Sequence, residues 1–183
     1  MSGRSVLVTR PTVLTIGHST RTLDTFIEML CAHGVKRLAD VRTIPRSRHN
    51  PQFNRDTLPE VLRLAGIAYT HMEQLGGLRH ARPDSPNTGW HNTSFRGFAD
   101  YMQTPEFESG LEKLIQLAAR ERTAIMCAET VPWRCHRSLI ADALKIRGVQ
   151  VEHIISTGRA QPHQLTSFAK VSGIHITYPE ETG

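Results

Sequence analysis

The chain has 183 residues, with 22 Lys plus Arg against 17 Asp plus Glu, a net charge of +5 and 39% hydrophobic residues. That length suits one domain able to bury a core without staples, and the ordinary apolar content with modest charge excludes a disordered chain. No run approaches the ~18 apolar residues of a membrane span, so no membrane partner is expected.

In chain order, the first strand is Val13–Ile16, a β-rich run stopped by Gly17. Leu23, Phe26, Ile27 and Leu30 then mark one helical face, and Gly34 ends it. A second strand spans Arg37–Val41. The next helix starts near Asp56 or Thr57, shows Leu58, Val61, Leu62 and Ala65 on one face, and stops at Gly66. Ile67–His71 is the third strand. Phe95, Phe98, Ala99 and Met102 mark a short helix, and Thr104 with Pro105 opens a longer one as N-cap and first helical residue. Ala124–Ala128, a helix over Ser138–Arg147 and a fifth strand over Gln150–Ile155 complete the pattern.

Strands separated by helices predict a single three-layer α/β domain over 1–183, with a mostly parallel sheet of about five strands and helices on both faces. Its core covers about 13–155. The Gly- and Pro-containing stretch from Met72 to Ser94 reads as a lid, binding loop or mobile segment, and part of the tail over 156–183 is expected to pack loosely. Met1–Arg10 lacks the apolar stretch of about 7–15 residues that a signal peptide needs. The three cysteines, Cys31, Cys127 and Cys135, are too few and too odd in number for a secreted framework. The expected compartment is the reducing cytoplasm.

Ligands of open α/β sheets bind beyond the carboxyl ends of the strands, and the chemistry-bearing residues collect there. Strand one runs into Gly17, His18 and Ser19, a turn where glycine lets backbone approach an anion. Strand two runs into Asp40, Val41 and Arg42. Asp40 and Arg42 point to one side, where the carboxylate can order the guanidinium. Arg46, Arg48 and Arg55 follow with no acid between Arg42 and Arg55, which suggests a local anion site or a solvated basic loop.

Strand four runs into Cys127, Ala128 and Glu129. Cys135, His136 and Arg137 then open the next helix, whose N-terminal dipole favours a thiolate or a bound anion. These types suit a thiol-dependent hydrolase or transferase. Cys135 would be nucleophile or redox thiol, His136 and Glu129 proton carriers, Arg42, Arg46 and Arg137 anion holders, and Cys127 a second thiol. The plainer alternatives are Cys127 and Cys135 packed as small hydrophobes, Ser138 as a helix cap and Glu129 in a structural ion pair. The cysteine spacing does not match structural zinc sites, so neither metal nor cofactor is expected, while a disulfide switch stays open. Trp90, His91 and Phe95 could stack on a base, although aromatics are sparse. The expected partner is a small phosphate- or nucleotide-like anion; the alternative is a nucleic acid gripped by the 42–55 segment.

Together, Gly17-His18-Ser19, the Asp40-Val41-Arg42-x-x-Pro45-x-Ser47-Arg48 run, Phe53-Asn54, Gly66-Ile67-x-Tyr69, Leu75-Gly76-Gly77 and Cys127-Ala128-Glu129 with Cys135-His136-Arg137-Ser138 resemble the domain of unknown function 488 family from about Val13 to Ile155. The resemblance implies a small cytoplasmic prokaryotic α/β protein with its site at these motifs, and brings no reaction with it. The strand–Cys–loop–Arg–helix order is also similar to rhodanese-like and Cys-dependent phosphatase sites. Arg134 and Arg137 depart from their Cys-x5-Arg spacing.

Overall fold

The computed structural model describes residues 10–182. Of the stretch read for a leader, Met1–Arg10, only Arg10 lies within them. The main sheet has six strands in the order β3-β2-β4-β1-β5-β6. These are β1 (Thr12–Gly17), β2 (Arg37–Asp40), β3 (Ala68–His71), β4 (Thr123–Cys127), β5 (Gln150–Ser156) and β6 (Arg159–Pro162). All pair in parallel except β6, which returns antiparallel beside β5. The expectation of about five strands is thus exceeded by this short polar edge strand. A separate hairpin joins β7 (Lys170–Ser172) to β8 (His175–Thr177).

Alternation along the strands sorts side chains into two cores. Leu14 and Ile16 of β1, Leu38 of β2, and Ala124 and Met126 of β4 pack with Phe26, Met29 and Leu30 of α1 (Leu23–Ala32) and Leu58 and Leu62 of α2 (Leu58–Leu64). Val13, Ala39 and Ile125 face the other way, against α3 (Thr93–Tyr101), α4 (Pro105–Arg120) and α5 (Arg137–Ile146). The three-layer α/β architecture is therefore present. Helix starts follow local chemistry. Thr22 caps α1 through Thr25 N (3.2 Å), Asn92 caps α3 through Ser94 N (2.8 Å), and Thr104 caps α4 ahead of Pro105. No helix among the described residues is long and apolar enough to cross a membrane.

The tail is bound more firmly than its composition suggests. Tyr178 is fully buried, its backbone N–H donates to Asn87 Oδ1 (2.8 Å), and its carbonyl accepts from Gly89 N (2.8 Å). Asn87 in turn donates to Asp100 Oδ1 of α3 (2.7 Å), so the tail and the middle of the 72–94 stretch fasten each other to the helical layer.

Two neighbouring strands create the crevice. The chain leaves β1 toward α1 on one face and leaves adjacent β4 toward α5 on the other, so the connections diverge where Gly17 pairs with Cys127.

Candidate functional site

Arg42 follows β2 and turns back against it. Its Nε donates to Asp40 Oδ1 (2.9 Å) and its Nη2 to Asp40 Oδ2 (2.7 Å), a two-pronged pair in which Asp40 is fully buried. Nη2 also donates to the Phe53 carbonyl (2.7 Å), and Tyr69 OH donates to the same carboxylate. The planar fork is thereby locked with Nη1 left toward His18 Nε2, 3.4 Å away. His18 Nδ1 lies 2.9 Å from the Ser19 carbonyl, which only an N–H can satisfy. Its Nε2 therefore carries a lone pair toward Arg42. The imidazole stacks on Phe53 at 4.5 Å, and burial lowers its pKa against the pull of the Ser19 carbonyl. Ser19 itself adopts φ 46°, which directs that carbonyl to the ring.

The opposite wall comes from the start of α5. His136 Nε2 donates to the Val41 carbonyl (2.9 Å), leaving Nδ1 as an acceptor 3.4 Å from Cys135 Sγ. The ring meets Phe98 edge-on at 5.0 Å. A Cβ on Gly77 would stand 2.7 Å from His136 Nδ1, and one on Gly76 would stand 2.3 Å from Thr43 Oγ1. The Leu75-Gly76-Gly77 turn thus owes its glycines to close packing against the site. Cys127 and Cys135 meet as a disulfide pair, their Cα atoms 7.3 Å apart.

Both walls open on one cavity of about 520 Å³. Of the sequence-predicted residues, His18, Arg42, Arg46, Cys127, Glu129, Cys135 and His136 line it, joined by Arg134, Phe95 and the exposed Leu78. Three arginines face one carboxylate. Gly17 and Asp40 lie behind the wall, and Arg48 is exposed outside it. Gly17 has a specific reason to be glycine: a Cβ there would sit 1.7 Å from the Glu129 carbonyl oxygen. No group of three metal-ligating side chains gathers among the described residues; His71 is occupied at 2.8 Å from the Arg42 carbonyl.

A model of the domain of unknown function DUF488 matches residues 22–144, more than half of the chain, and spans the Asp40–Arg48 and Cys127–Ser138 motifs. The chain belongs to the DUF488 family. No curated protein and no solved structure matches it significantly. The matched span leaves out Gly17-His18-Ser19 and β5, which in this DUF488 chain complete the cavity wall and the sheet.

Arg137 departs from its expected place among the anion holders. It is 1% exposed and points into the domain, where Nη1 donates to Thr15 Oγ1 (3.0 Å) and Nη2 to the carbonyls of Glu129 (2.8 Å) and Thr130 (3.2 Å). Its Nε is buried without a partner. Adjacent helical residues lie about 100° apart, so the residue after His136 faces the core. Thr15 passes its own proton to His153 Nδ1 (2.6 Å), His153 Nε2 donates to His163 Nδ1 (2.8 Å), and His163 Nε2 donates to Asp142 Oδ1 (2.7 Å). From Arg137 to Asp142 each bond of this buried chain donates in the same direction, while Arg137 donates the other way to the 129–130 carbonyls. This chain of bonds runs from the tail, where Thr166 and Tyr178 also hold Asp142, to the 129–130 backbone at the cavity. Sequence reasoning missed it. The available signal was Asp142 inside the apolar run Leu139–Leu144, because a buried carboxylate requires partners.

Burial pushes the His136 imidazole down to about 4, opposed by the Val41 and Leu75 carbonyls and aided by Arg137. Burial likewise pushes His153 down to about 3, with His163 and Arg137 adding to it. Between these values and the ordinary 6.5, the unfolded chain binds protons that the folded one refuses. Stability is therefore expected to fall as pH drops from 6 to 4, with two such histidines giving a slope of roughly 3 kcal/mol per pH unit. Urea midpoints at several pH values check this, and His153→Gln is expected to remove about half the slope. A midpoint that does not move between pH 7 and 5 would contradict it.

Proposed function

We propose that the crevice binds a small phosphate-bearing anion and that Cys135 is the thiol nucleophile of a hydrolase or transferase. The observation that carries this reading is that Arg42, fixed by Asp40, and Cys135, facing a His136 acceptor nitrogen, border the same cavity. In the reduced protein His136 Nδ1 accepts a hydrogen bond from the Cys135 thiol, and the positive end of α5 favours the thiolate once that proton leaves to solvent. Nη1 of Arg42 with Arg46 and Arg134 at the rim would hold the anion, and Glu129 would carry a proton to the leaving group. Pairing with Cys127 removes the nucleophile, so the chemistry belongs to the reduced state.

Alkylation by iodoacetamide, followed by mass spectrometry of freshly reduced protein, tests the nucleophile. Cys31 is exposed and Cys135 is only 6% exposed, so access alone would favour Cys31. Activation predicts the reverse: Cys135 reacts at least about tenfold faster at pH 7, and Cys135 labelling follows a lowered thiol pKa. Equal or slower reaction at Cys135 would return it to the role of a packed hydrophobe.

A second reading, association with nucleic acid, is supported by the exposed arginines Arg46, Arg48 and Arg55 along one segment. Phosphate contacts would give an affinity that falls steeply with salt.

A further inference from the structure

A second cavity of about 390 Å³ lies beside the first and differs from it in chemistry. None of its described lining residues is Lys, Arg, Asp or Glu. Its walls include the indoles of Trp90 and Trp133, the amides of Gln161 and Gln164, and the imidazoles of His153 and His163. Trp133 is 65% exposed, an unusual cost for so large an apolar ring on a chain with two tryptophans. The Nε1 donor of Trp90 is buried without a hydrogen-bond partner.

The two cavities share a thin wall. Trp133 faces the neutral one, while the next two residues, Arg134 and Cys135, line the basic one. With about 3.8 Å between successive Cα atoms, the Trp133 and Cys135 backbones are at most roughly 7.6 Å apart. On the far side of the wall Trp90 of the neutral cavity touches Phe95 of the basic one, ring centres 5.0 Å apart. A ligand spanning this wall needs a phosphate at one end and, a short reach away, a flat neutral ring with hydrogen-bonding edges. We propose that the second cavity is a base-binding subsite in which Trp133 stacks on the nucleobase of a nucleotide whose phosphate occupies the Arg42 crevice. This rests on the phosphate-binding reading above and names its substrate class. Stacking on Trp133 tolerates any base, and the glutamine amides supply both donors and acceptors to its edge.

The test uses reduced full-length protein with three probes: inorganic phosphate, adenosine monophosphate and a single-stranded ten-nucleotide DNA. The readouts are slowing of Cys135 alkylation and quenching of tryptophan fluorescence. Adenosine monophosphate is expected to protect Cys135 at a concentration roughly 5- to 150-fold below that of phosphate, the span that about 1–3 kcal/mol of base–aromatic stacking converts to. Trp133→Ala is expected to abolish that advantage and the quenching while leaving protection by phosphate unchanged; Trp133→Phe is expected to retain most of the advantage. Stronger protection by the DNA than by the mononucleotide would identify a strand as the source of the base, and the reverse a free nucleotide. Equal protection by phosphate and mononucleotide, or an advantage that survives Trp133→Ala, would overturn the subsite. Failure of phosphate itself to protect Cys135 strikes instead at the phosphate reading. The base subsite then stands on quenching by adenosine that Trp133→Ala removes, and falls without it.

Discussion

Gly17→Ala is expected to destabilise the protein by about 3 kcal/mol or more, the largest effect of a methyl added at any described glycine. The new Cβ would lie 1.7 Å from the Glu129 carbonyl oxygen and 2.6 Å from its carbon, both main-chain atoms with no rotamer to yield. The crossing backbone is itself held from behind, because Arg137 donates to the carbonyls of Glu129 and Thr130. Moving it aside would strip a fully buried guanidinium of two acceptors. The variant should also lose the His18 N to Cys127 O bond (3.0 Å) that joins the two cavity walls. Gly158→Ala is the control: nothing stands within 4 Å of its Cβ, and a change within about 0.5 kcal/mol is expected. Urea denaturation of both variants checks the contrast, and similar midpoints would refute the packing argument.

Asp40→Ala ranks next. Asp40 is fully buried and takes two bonds from Arg42, a third from Arg42 N (3.1 Å) and one from Tyr69. Removing the carboxylate leaves the guanidinium, 7% exposed, without a counter-charge, a loss of about 3–5 kcal/mol. In a chain of this length that lowers Tm by roughly 6–20 °C. Exposed Arg63 and Glu60 form a pair of similar geometry, yet Glu60→Ala should leave stability nearly unchanged because solvent screens it. A Tm for Asp40→Ala within 2 °C of the parent would show that the clamp contributes nothing to the fold.

Much of this arrangement is legible in the amino-acid sequence. Strands β1 to β5 announce themselves as short β-rich runs closed by glycine or polar residues, and Thr104-Pro105 marks the start of α4 by cap chemistry alone. Parallel topology then carries His18, Arg42, Cys127, Glu129 and Cys135 to one edge, because all five follow or end strands that run the same way. What stays hidden depends on tertiary context. β6 is a polar edge strand ending in Pro162, with no alternation to reveal it. Ile176 and Tyr178 alternate with polar residues over a stretch too short to betray their burial, and Ile174 on the same period stays 50% exposed. Arg137 shares a tripeptide with two cavity residues but points inward, a matter of helical phase that its neighbours obscure. Trp133 carries no local pattern; its meaning comes from the neutral cavity beside it.

If anion-holding and thiol groups from separate strands serve one ligand, the alkylation rate of Cys135 reports it most directly. That rate is measured with Cys31 as internal reference, at rising inorganic phosphate, in the parent and in an Arg46→Gln/Arg134→Gln double variant. Both arginines are exposed, so the fold should survive their loss. Phosphate is expected to slow labelling of Cys135 saturably while leaving Cys31 unchanged, with the double variant needing at least about tenfold more. Cys135 labelling that ignores phosphate, or that slows in step with Cys31, would contradict a shared crevice.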